Sequence, residues 1–434
     1  MRNGLRAIIG AATAVGISLG FAAAADWPQW RGPNRDGKSS ETGLIAKFPA
    51  DGPKLLWSKT DLADIGTGYG CPATSGGKLF ILGADGAKQG AGEFLTCLDA
   101  ATGKRIWQTK LQTSAGKFSD GWGGGPRGTP TVDGEFVYTL GATGDLSCVT
   151  AKSGRIVWTK NLVKDFGGSV TQWGYSESVL IDGEKLVCTP GNKGSITALD
   201  KKTGKLIWTC ADLKDGAGYS SILITEVGGV KQYVTQTMSS GVGVRANDGK
   251  LLWKVGEIKR SVAVIPTPVI KDNHVFFTAG YGAGCELFKL EADGDGTKAT
   301  LVYKSGFVAN HHGGVVEVDG KLYGHSDAKN IWFCLDFLKD GKEAVWTDKS
   351  LDKGSITYAD GQLYCYGQSK GTLVRIKASD KGWEETGRFN IPELSKERPR
   401  QGMVWGHPVV SNGKLYLRDY EKFFCYDISK GSTN

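Results

Sequence analysis

Beyond its first 25 residues, the sequence has no apolar run that approaches the ~20 residues needed for a membrane-spanning helix. It also has no C-x-x-C motif, so the cysteine spacing indicates neither a zinc ribbon nor a haem attachment site. Basic residues are spread through turns and do not form a stripe interleaved with aromatics, as a nucleic-acid-binding surface would require. These absences exclude a helical membrane protein and argue against a nucleic-acid partner.

The first 25 residues have the pattern of a secretory signal peptide. Arg2 and Arg6 precede an apolar run over residues 7–21, and residues 23–25 supply an A-x-A cleavage site. We therefore predict that residues 1–25 are removed and that the mature protein, residues 26–434, is soluble in the periplasm or secreted. Loss of the two arginines lowers the formal net charge from +8 to +6.

A ten-residue phrase recurs along the chain. Its clearest copies are LDAATGKRIW ending at Trp107, VTAKSGRIVW ending at Trp158 and LDKKTGKLIW ending at Trp208. Asp and Thr oxygens bond to turn amides and Gly accepts a positive φ, so the phrase, with its terminal Trp, predicts a β-hairpin that joins the last two strands of a blade. The copies return at intervals of roughly 45 to 50 residues, a period typical of propeller blades.

A second predicted hairpin precedes each phrase. Asp-Gly or Asn-Gly stands between apolar stretches, as in VLIDGEKLV at residues 179–187 and VVSNGKLY at residues 409–416. Two hairpins make a four-stranded antiparallel blade. The phrase ends that count the blades are Trp57, Trp107, Trp158, Trp208, Trp253, Tyr303, Trp346 and Phe389, which gives eight.

The two ends of the repeat array complement each other. The last repeat reaches Asn434 before any fourth strand, whereas the first phrase, ending at Trp57, has no strands of its own before it. An N-terminal strand that completes the last blade would remove the exposed edges that invite aggregation. The sequence thus predicts an all-β fold, an eight-bladed propeller forming a single domain over residues 26–434.

Nine cysteines in an exported chain raise the question of disulfides. Four of them share one register ahead of the phrase turn, where a fifth repeat has Ala198, and this exchange predicts a small buried slot. These four are Cys97, Cys148, Cys334 and Cys425. Cys188 and Cys210 lie close to one repeat, and whether they form a disulfide is left open.

The pattern Asp-x-x-Thr-Gly-Lys-x-x-Trp, repeated around eight blades, resembles the tryptophan-docking repeat of pyrroloquinoline quinone (PQQ) type propellers. That superfamily contains quinoprotein alcohol dehydrogenases and also non-enzymatic members, such as the propeller lipoprotein of outer-membrane assembly. The stretch DWPQWRGPNRDG is similar to secreted PQQ-like repeat proteins of planctomycetes. The resemblance implies the fold and leaves the function open, because one fold carries many functions.

Ligand binding is predicted where the innermost strands begin, because residues there vary from blade to blade while the turn phrase is kept. The candidate binding residues are Trp122, Arg127, Trp173, Tyr175, Glu177, Tyr219, His311, His312, Trp405 and His407. Each also has a structural interpretation; Glu177, for example, either binds a ligand or forms hydrogen bonds within the protein. A metal site at the histidines is disfavoured, because adjacent residues on a strand point to opposite faces.

Two functions remain open. In the first, the protein is a monomeric binding or scaffold module of the cell envelope, with another envelope protein, a peptide or a carbohydrate as partner and no firmly implied cofactor. In the second, it is a PQQ- and calcium-dependent alcohol or polyol dehydrogenase, in which Glu177 would bind calcium and Trp173 or Trp122 would stack on the quinone. The adjacent cysteine pair of many quinoprotein dehydrogenases is absent, and no second carboxylate can be assigned as base, which favours the binding module.

Overall fold

The computed structural model describes residues 25–431, so the predicted signal peptide lies outside the described residues except for Ala25. Within this range the chain forms eight four-stranded antiparallel sheets and two short helices, α1 (Leu62–Ile65) and α2 (Leu162–Phe166). The predicted eight-bladed propeller is confirmed, with each sheet as one blade. No helix within the described range is long and apolar enough to cross a membrane.

The blades follow one another along the chain. Blade 1 consists of β2 (Ala73–Ser75), β3 (Lys78–Ala84), β4 (Glu93–Asp99) and β5 (Arg105–Lys110), and blade 2 of β6 (Thr131–Asp133), β7 (Phe136–Leu140), β8 (Asp145–Thr150) and β9 (Ile156–Asn161). Blade 3 consists of β10 (Leu180–Asp182), β11 (Lys185–Cys188), β12 (Thr197–Asp200) and β13 (Leu206–Thr209), and blade 4 of β14 (Leu223–Val227), β15 (Val230–Gln236), β16 (Gly241–Arg245) and β17 (Leu251–Val255). Blade 5 consists of β18 (Val269–Lys271), β19 (His274–Ala279), β20 (Gly284–Asp293) and β21 (Gly296–Ser305), and blade 6 of β22 (Val315–Val318), β23 (Lys321–Ser326), β24 (Ile331–Asp336) and β25 (Ala344–Asp348). Blade 7 consists of β26 (Gly354–Ala359), β27 (Gln362–Gly367), β28 (Thr372–Lys377) and β29 (Glu385–Asn390), and blade 8 of β30 (Val409–Ser411), β31 (Lys414–Asp419), β32 (Lys422–Asp427) and β1 (Lys54–Lys59).

Ring closure occurs in blade 8, as the sequence predicted. The N-terminal strand β1 pairs antiparallel with β32, and the register places Leu55 opposite Tyr426 and Ser58 opposite Phe424. The order of this sheet is β1-β32-β31-β30, so β1 supplies its outermost strand. Strands from opposite ends of the described chain therefore complete one blade and join it to its neighbours.

The repeated phrase forms the hairpin between the third and fourth strands of a blade. In blade 1 the Asp99 carboxylate accepts hydrogen bonds from the amide (2.8 Å) and the hydroxyl (2.7 Å) of Thr102. Gly103 has a φ of 69° and its amide donates to the Asp99 carbonyl at 2.8 Å. These contacts explain why the turn of the phrase has Asp, Thr and Gly at these positions.

The terminal tryptophans of the phrase join neighbouring blades. Trp107 of blade 1 packs against Gly154 in the phrase turn of blade 2, and its Nε1 donates to the Ala151 carbonyl at 3.3 Å. Trp57 with Gly103 and Trp158 with Gly204 repeat the arrangement. One phrase therefore closes a hairpin and also provides the docking surface for the preceding blade.

The predicted slot for small side chains is confirmed. Cys97, Cys148, Cys334 and Cys425 are all buried in the blades, as is Ala198 at the same register. Cys188 and Cys210 are also buried, and both are free thiols in the structure. All nine cysteines therefore contribute to packing within the described range.

An N-terminal stretch, residues 25–39, runs across the centre of the ring, and we call it the axial segment. It exchanges hydrogen bonds with residues in or just before the inner strands of seven blades: Thr74, Val132, Ser178 and Val179, Thr267, Val315, Tyr358, and Ser411. Two buried arginines anchor it, with Arg31 donating to the Val315 carbonyl (2.6 Å) and Arg35 to the Ser178 carbonyl (2.5 Å). A segment bonded to so many blades must lie across the channel and close it there.

Candidate functional site

A pocket lies on the propeller axis where the chain enters the innermost strands, and we call it the axial pocket. Its volume is about 150 Å³. Of the residues predicted from the sequence, it is lined by Trp122, Arg127, Trp173, Tyr219, His311, His312, Trp405 and His407. Lining residues that sequence reasoning did not select are Trp30, Tyr69, Ser176, Ser221, Ala263, Ile265 and Tyr281.

Aromatic rings in contact with one another form much of the wall. Trp122 stacks on Trp405 with ring centroids 6.2 Å apart and planes inclined by 30°, and it meets Trp173 edge to face at 6.3 Å. Tyr69 lies 4.9 Å from Trp405, and its hydroxyl donates to the Trp122 carbonyl at 2.6 Å. This hydrogen bond fixes the glycine-rich loop that carries Trp122 against the rest of the wall.

The floor of the pocket comes from the axial segment. The Trp30 indole donates from Nε1 to Thr267 Oγ1 at 2.8 Å and meets His407 edge to face with centroids 4.7 Å apart. Because the axial segment closes the channel beneath it, the pocket is blind and opens at one end. The relation of residues 25–39 to the pocket has no local signature in the sequence, which is why Trp30 was not predicted.

Three histidines stand side by side in the wall. Burial lowers the pKa of His311 to about 4, with the positive Lys353 as a second cause, and lowers that of His407 to about 3. Burial also places the pKa of His312 well below its ordinary value. All three rings are therefore neutral near pH 7, so each has one N–H donor and one acceptor nitrogen.

The expectation that His311 and His312 point in opposite directions is wrong. Both line the pocket, and their Nδ1 atoms are 3.4 Å apart. The strand rule does not apply because both precede β22 in an irregular loop. Even so, no group of three or more His, Cys, Asp or Glu side chains among residues 25–431 is arranged to hold a metal ion.

Arg127 is the cation of the pocket wall. It donates from Nη2 to the Gly123 carbonyl at 2.6 Å and from Nη1 to the Gly125 carbonyl at 3.2 Å. Its guanidinium lies 5.6 Å from the Tyr69 ring centroid. Burial lowers the pKa of Arg127 from 12.5, opposed by neighbouring tyrosines, and a guanidinium remains protonated near pH 7.

Tyr175 and Glu177 do not line the pocket, contrary to expectation, because the side chains alternate along this stretch. Ser176 faces the pocket, whereas Tyr175 and Glu177 are each 1% exposed and turn into the blades. The Tyr175 hydroxyl donates to the Pro190 carbonyl at 2.7 Å. Glu177 Oε2 accepts hydrogen bonds from the amide (2.8 Å) and the hydroxyl of Thr189.

The pocket does not fit PQQ with calcium. Calcium takes six or more oxygen ligands, chiefly carboxylate and amide oxygens, yet among the described residues the lining side chains include no carboxylate and no carboxamide. Glu177, the candidate calcium ligand, is bonded to Thr189 behind the wall. The lining also supplies no carboxylate to act as base for an alcohol.

Comparison with solved structures shows the same fold in proteins of different activity. BamB from Moraxella catarrhalis is 12% identical, with a TM-score of 0.58, and the match covers 86% of this chain and 99% of that one. Quinohemoprotein alcohol dehydrogenase from Comamonas testosteroni is also 12% identical, with a TM-score of 0.64 and coverage of 93% and 80%. The computationally designed Ika8 protein is 10% identical, with a TM-score of 0.57 and coverage of 87% and 100%.

Sequence comparison identifies the family. No curated protein matches the chain in a direct search. The family model described as outer membrane protein assembly factor BamB matches residues 91–348, more than half of the sequence. The chain therefore belongs to the PQQ-like propeller family of the outer membrane protein assembly factor BamB.

Proposed function

We propose that this protein is a binding module of the cell envelope whose axial pocket takes a sugar ring. The observation that carries the proposal is the composition of the lining, which combines contiguous aromatic rings with neutral imidazoles and serine hydroxyls. This lining offers flat apolar faces together with a few fixed hydrogen-bonding groups, the combination expected of a ligand-binding pocket.

The chemistry of a pyranose matches these walls. Its C–H faces can lie on Trp122, Trp173 or Trp405, whose indoles present large apolar surfaces. Its hydroxyls can donate to the acceptor nitrogen of a neutral histidine or accept from its N–H. His311 lines the pocket and is partly exposed, so its ring can form such a bond with a ligand there.

A quinone-dependent dehydrogenase is the less well supported alternative. It needs a carboxylate base near the substrate and an oxygen-rich calcium site, and the described pocket wall contains neither. The structural likeness to quinohemoprotein dehydrogenases concerns the fold, at 12% identity. The envelope location is supported by the family and by the predicted signal peptide.

Isothermal titration calorimetry with a panel of ligands tests the proposal. The panel contains neutral and acidic oligosaccharides, envelope peptides, and PQQ with calcium. We expect an oligosaccharide to bind and Trp122→Ala to weaken that binding about two- to tenfold, the effect of losing one aromatic contact.

The matched control is Trp383→Ala, which removes a half-buried tryptophan that packs on Trp332 and Trp346 away from the pocket. It should leave the affinity unchanged. Tight PQQ binding accompanied by dye-linked alcohol oxidation would contradict the proposal and establish the dehydrogenase.

A further inference from the structure

The charge of Arg127 is not balanced by a carboxylate. Two of its N–H groups bond to backbone carbonyls, and its planar group lies near the rings of Tyr69 (5.6 Å) and Phe118 (5.9 Å). Within the described chain Arg127 forms no ion pair, whereas the buried Arg260 pairs with Glu286. The remaining N–H groups of its fork are therefore available at the pocket wall.

The acid whose charge acts on Arg127, Glu93, is already engaged. Glu93 Oε1 accepts a hydrogen bond from the Ala142 amide at 3.0 Å, and the residue is 4% exposed. Burial raises its pKa to about 7, so a large share of this carboxyl is neutral near pH 7. Glu93 compensates the Arg127 charge only in part, because no hydrogen bond or ion pair joins these two side chains within the described chain.

We propose that Arg127 makes the axial pocket selective for a sugar ring that carries a carboxylate, so that the ligand is a uronic acid residue of an acidic glycan. This inference rests on the proposed function and names its substrate class. A partly buried cation held among aromatic rings has lost much of its hydration, and an entering carboxylate restores the missing partner. The planar guanidinium matches a carboxylate with two parallel N–H···O bonds, which an ammonium group does not.

The blind floor determines which residue of the glycan enters. At about 150 Å³ the pocket is smaller than the roughly 300 Å³ at which clefts begin to bury drug-sized ligands. Trp30 and the axial segment close the far end, so a chain cannot thread through. The pocket therefore holds one terminal sugar ring, and the rest of the glycan extends past Trp122 and Tyr281, which are 37% and 64% exposed.

Titration of matched oligosaccharides into the wild-type protein tests whether a carboxylate on the sugar increases affinity. The set has the same length and linkage and ends in glucuronic acid, in its methyl ester, or in glucose. We expect the acid to bind at least about tenfold more tightly than the other two, with the advantage falling as salt is raised. Equal affinities for all three would overturn this inference and leave the proposed function standing, whereas binding of none of the three would overturn both.

A fourth oligosaccharide, whose uronate is flanked on both sides by neutral sugar residues, tests whether the uronate must be at the end of the glycan. It should bind no better than the glucose-terminated chain. Binding as tight as that of the uronate-terminated chain would overturn the assignment to a terminal residue. A sulfate-terminated chain that bound more tightly than the uronate would overturn the choice of carboxylate.

Substitution of the arginine assigns the effect to one residue. Arg127→Gln and Arg127→Lys should both reduce the preference for the uronate, the lysine variant retaining charge attraction but losing the two-pronged contact. The readout is the ratio of the affinities for the uronate-terminated and glucose-terminated chains, because loss of the hydrogen bonds to Gly123 and Gly125 also loosens the loop that carries Trp122. Glu93→Gln is the control and should keep the preference; a preference that survives Arg127→Gln in a protein with an unchanged thermal midpoint would overturn the assignment.

Discussion

At the scale of single residues, Glu177 shows how burial changes the role of a side chain. Burial raises its pKa from 4.5 to about 7, while the hydrogen bonds from Thr189 and the charge of Arg35 oppose the shift. Because the folded pKa lies above the unfolded one, its contribution to stability is complete below pH 4.5. That contribution is lost as pH rises through about 7.

We therefore expect Glu177→Gln to alter the pH dependence of stability and not ligand binding. Glutamine keeps an oxygen that accepts from Thr189 but cannot ionise. Between pH 5 and pH 8 the thermal midpoint of the wild type should fall relative to that of the variant, which differential scanning calorimetry measures. Glu343→Gln, at a side chain that is 79% exposed, is the control; wild-type and Glu177→Gln curves that run parallel would contradict the expectation.

At the scale of elements, the phrase turn and the preceding blade depend on the same glycine. Gly154 has a φ of 70°, and a Cβ added there would collide with Thr109 Oγ1 and would lie 2.5 Å from Cε3 of Trp107, both in β5 of the preceding blade. Gly134 is in the first hairpin of the same blade with a φ of 55°, and no atom of the described chain comes within 4 Å of its added Cβ. The two positions therefore share the backbone requirement and differ in the contact between blades.

Alanine substitutions at these two glycines separate the cost of backbone strain from the cost of the contact between blades. Gly134→Ala should lower the free energy of unfolding by about 1–2 kcal/mol, the strain of a positive φ. Gly154→Ala should lower it by about 2–4 kcal/mol, because the methyl group also displaces Thr109 and the Trp107 ring. Urea denaturation measures both losses, and equal losses would show that Thr109 and Trp107 move aside at no cost and would contradict the expectation.

At the scale of the whole molecule, the ring is closed by β1 on β32. Deletion of residues 26–57 removes most of this strand and nearly all of the axial segment, leaving the edge of β32 largely unpaired. We expect aggregates on size-exclusion chromatography, because an unpaired strand edge templates association.

A circular permutant is the matched control for that deletion. It begins at Asp61, ends at Thr60, and joins Gly431 to Asp26 through a flexible linker, so that every strand is kept. The permutant should remain monomeric. A truncated protein that stays monomeric with an unchanged thermal midpoint would contradict the closure mechanism.

The candidate site was predicted less completely than the blades. Variation among repeats selected Trp122, Arg127 and Trp405 as loop positions, and the structure brings all three together in the wall of the axial pocket. It selected Glu177 and omitted Ser176, because the facing of a loop residue depends on the path of the backbone and not on residue type. The neutral state of the histidines also follows from burial, which the sequence does not state.

Local interactions explain what the sequence by itself determined: the strand alternation, the turns at Asp99 and Gly103, the number of blades and the strand that closes the ring. Each follows from contacts within one repeat or from counting repeats. The tertiary structure alone decided that residues 25–39 close the channel and that Trp30 forms the floor. The bond from Trp30 to Thr267 joins residues 237 positions apart, and a contact that occurs once, between distant segments, leaves no period in the sequence from which it could be read.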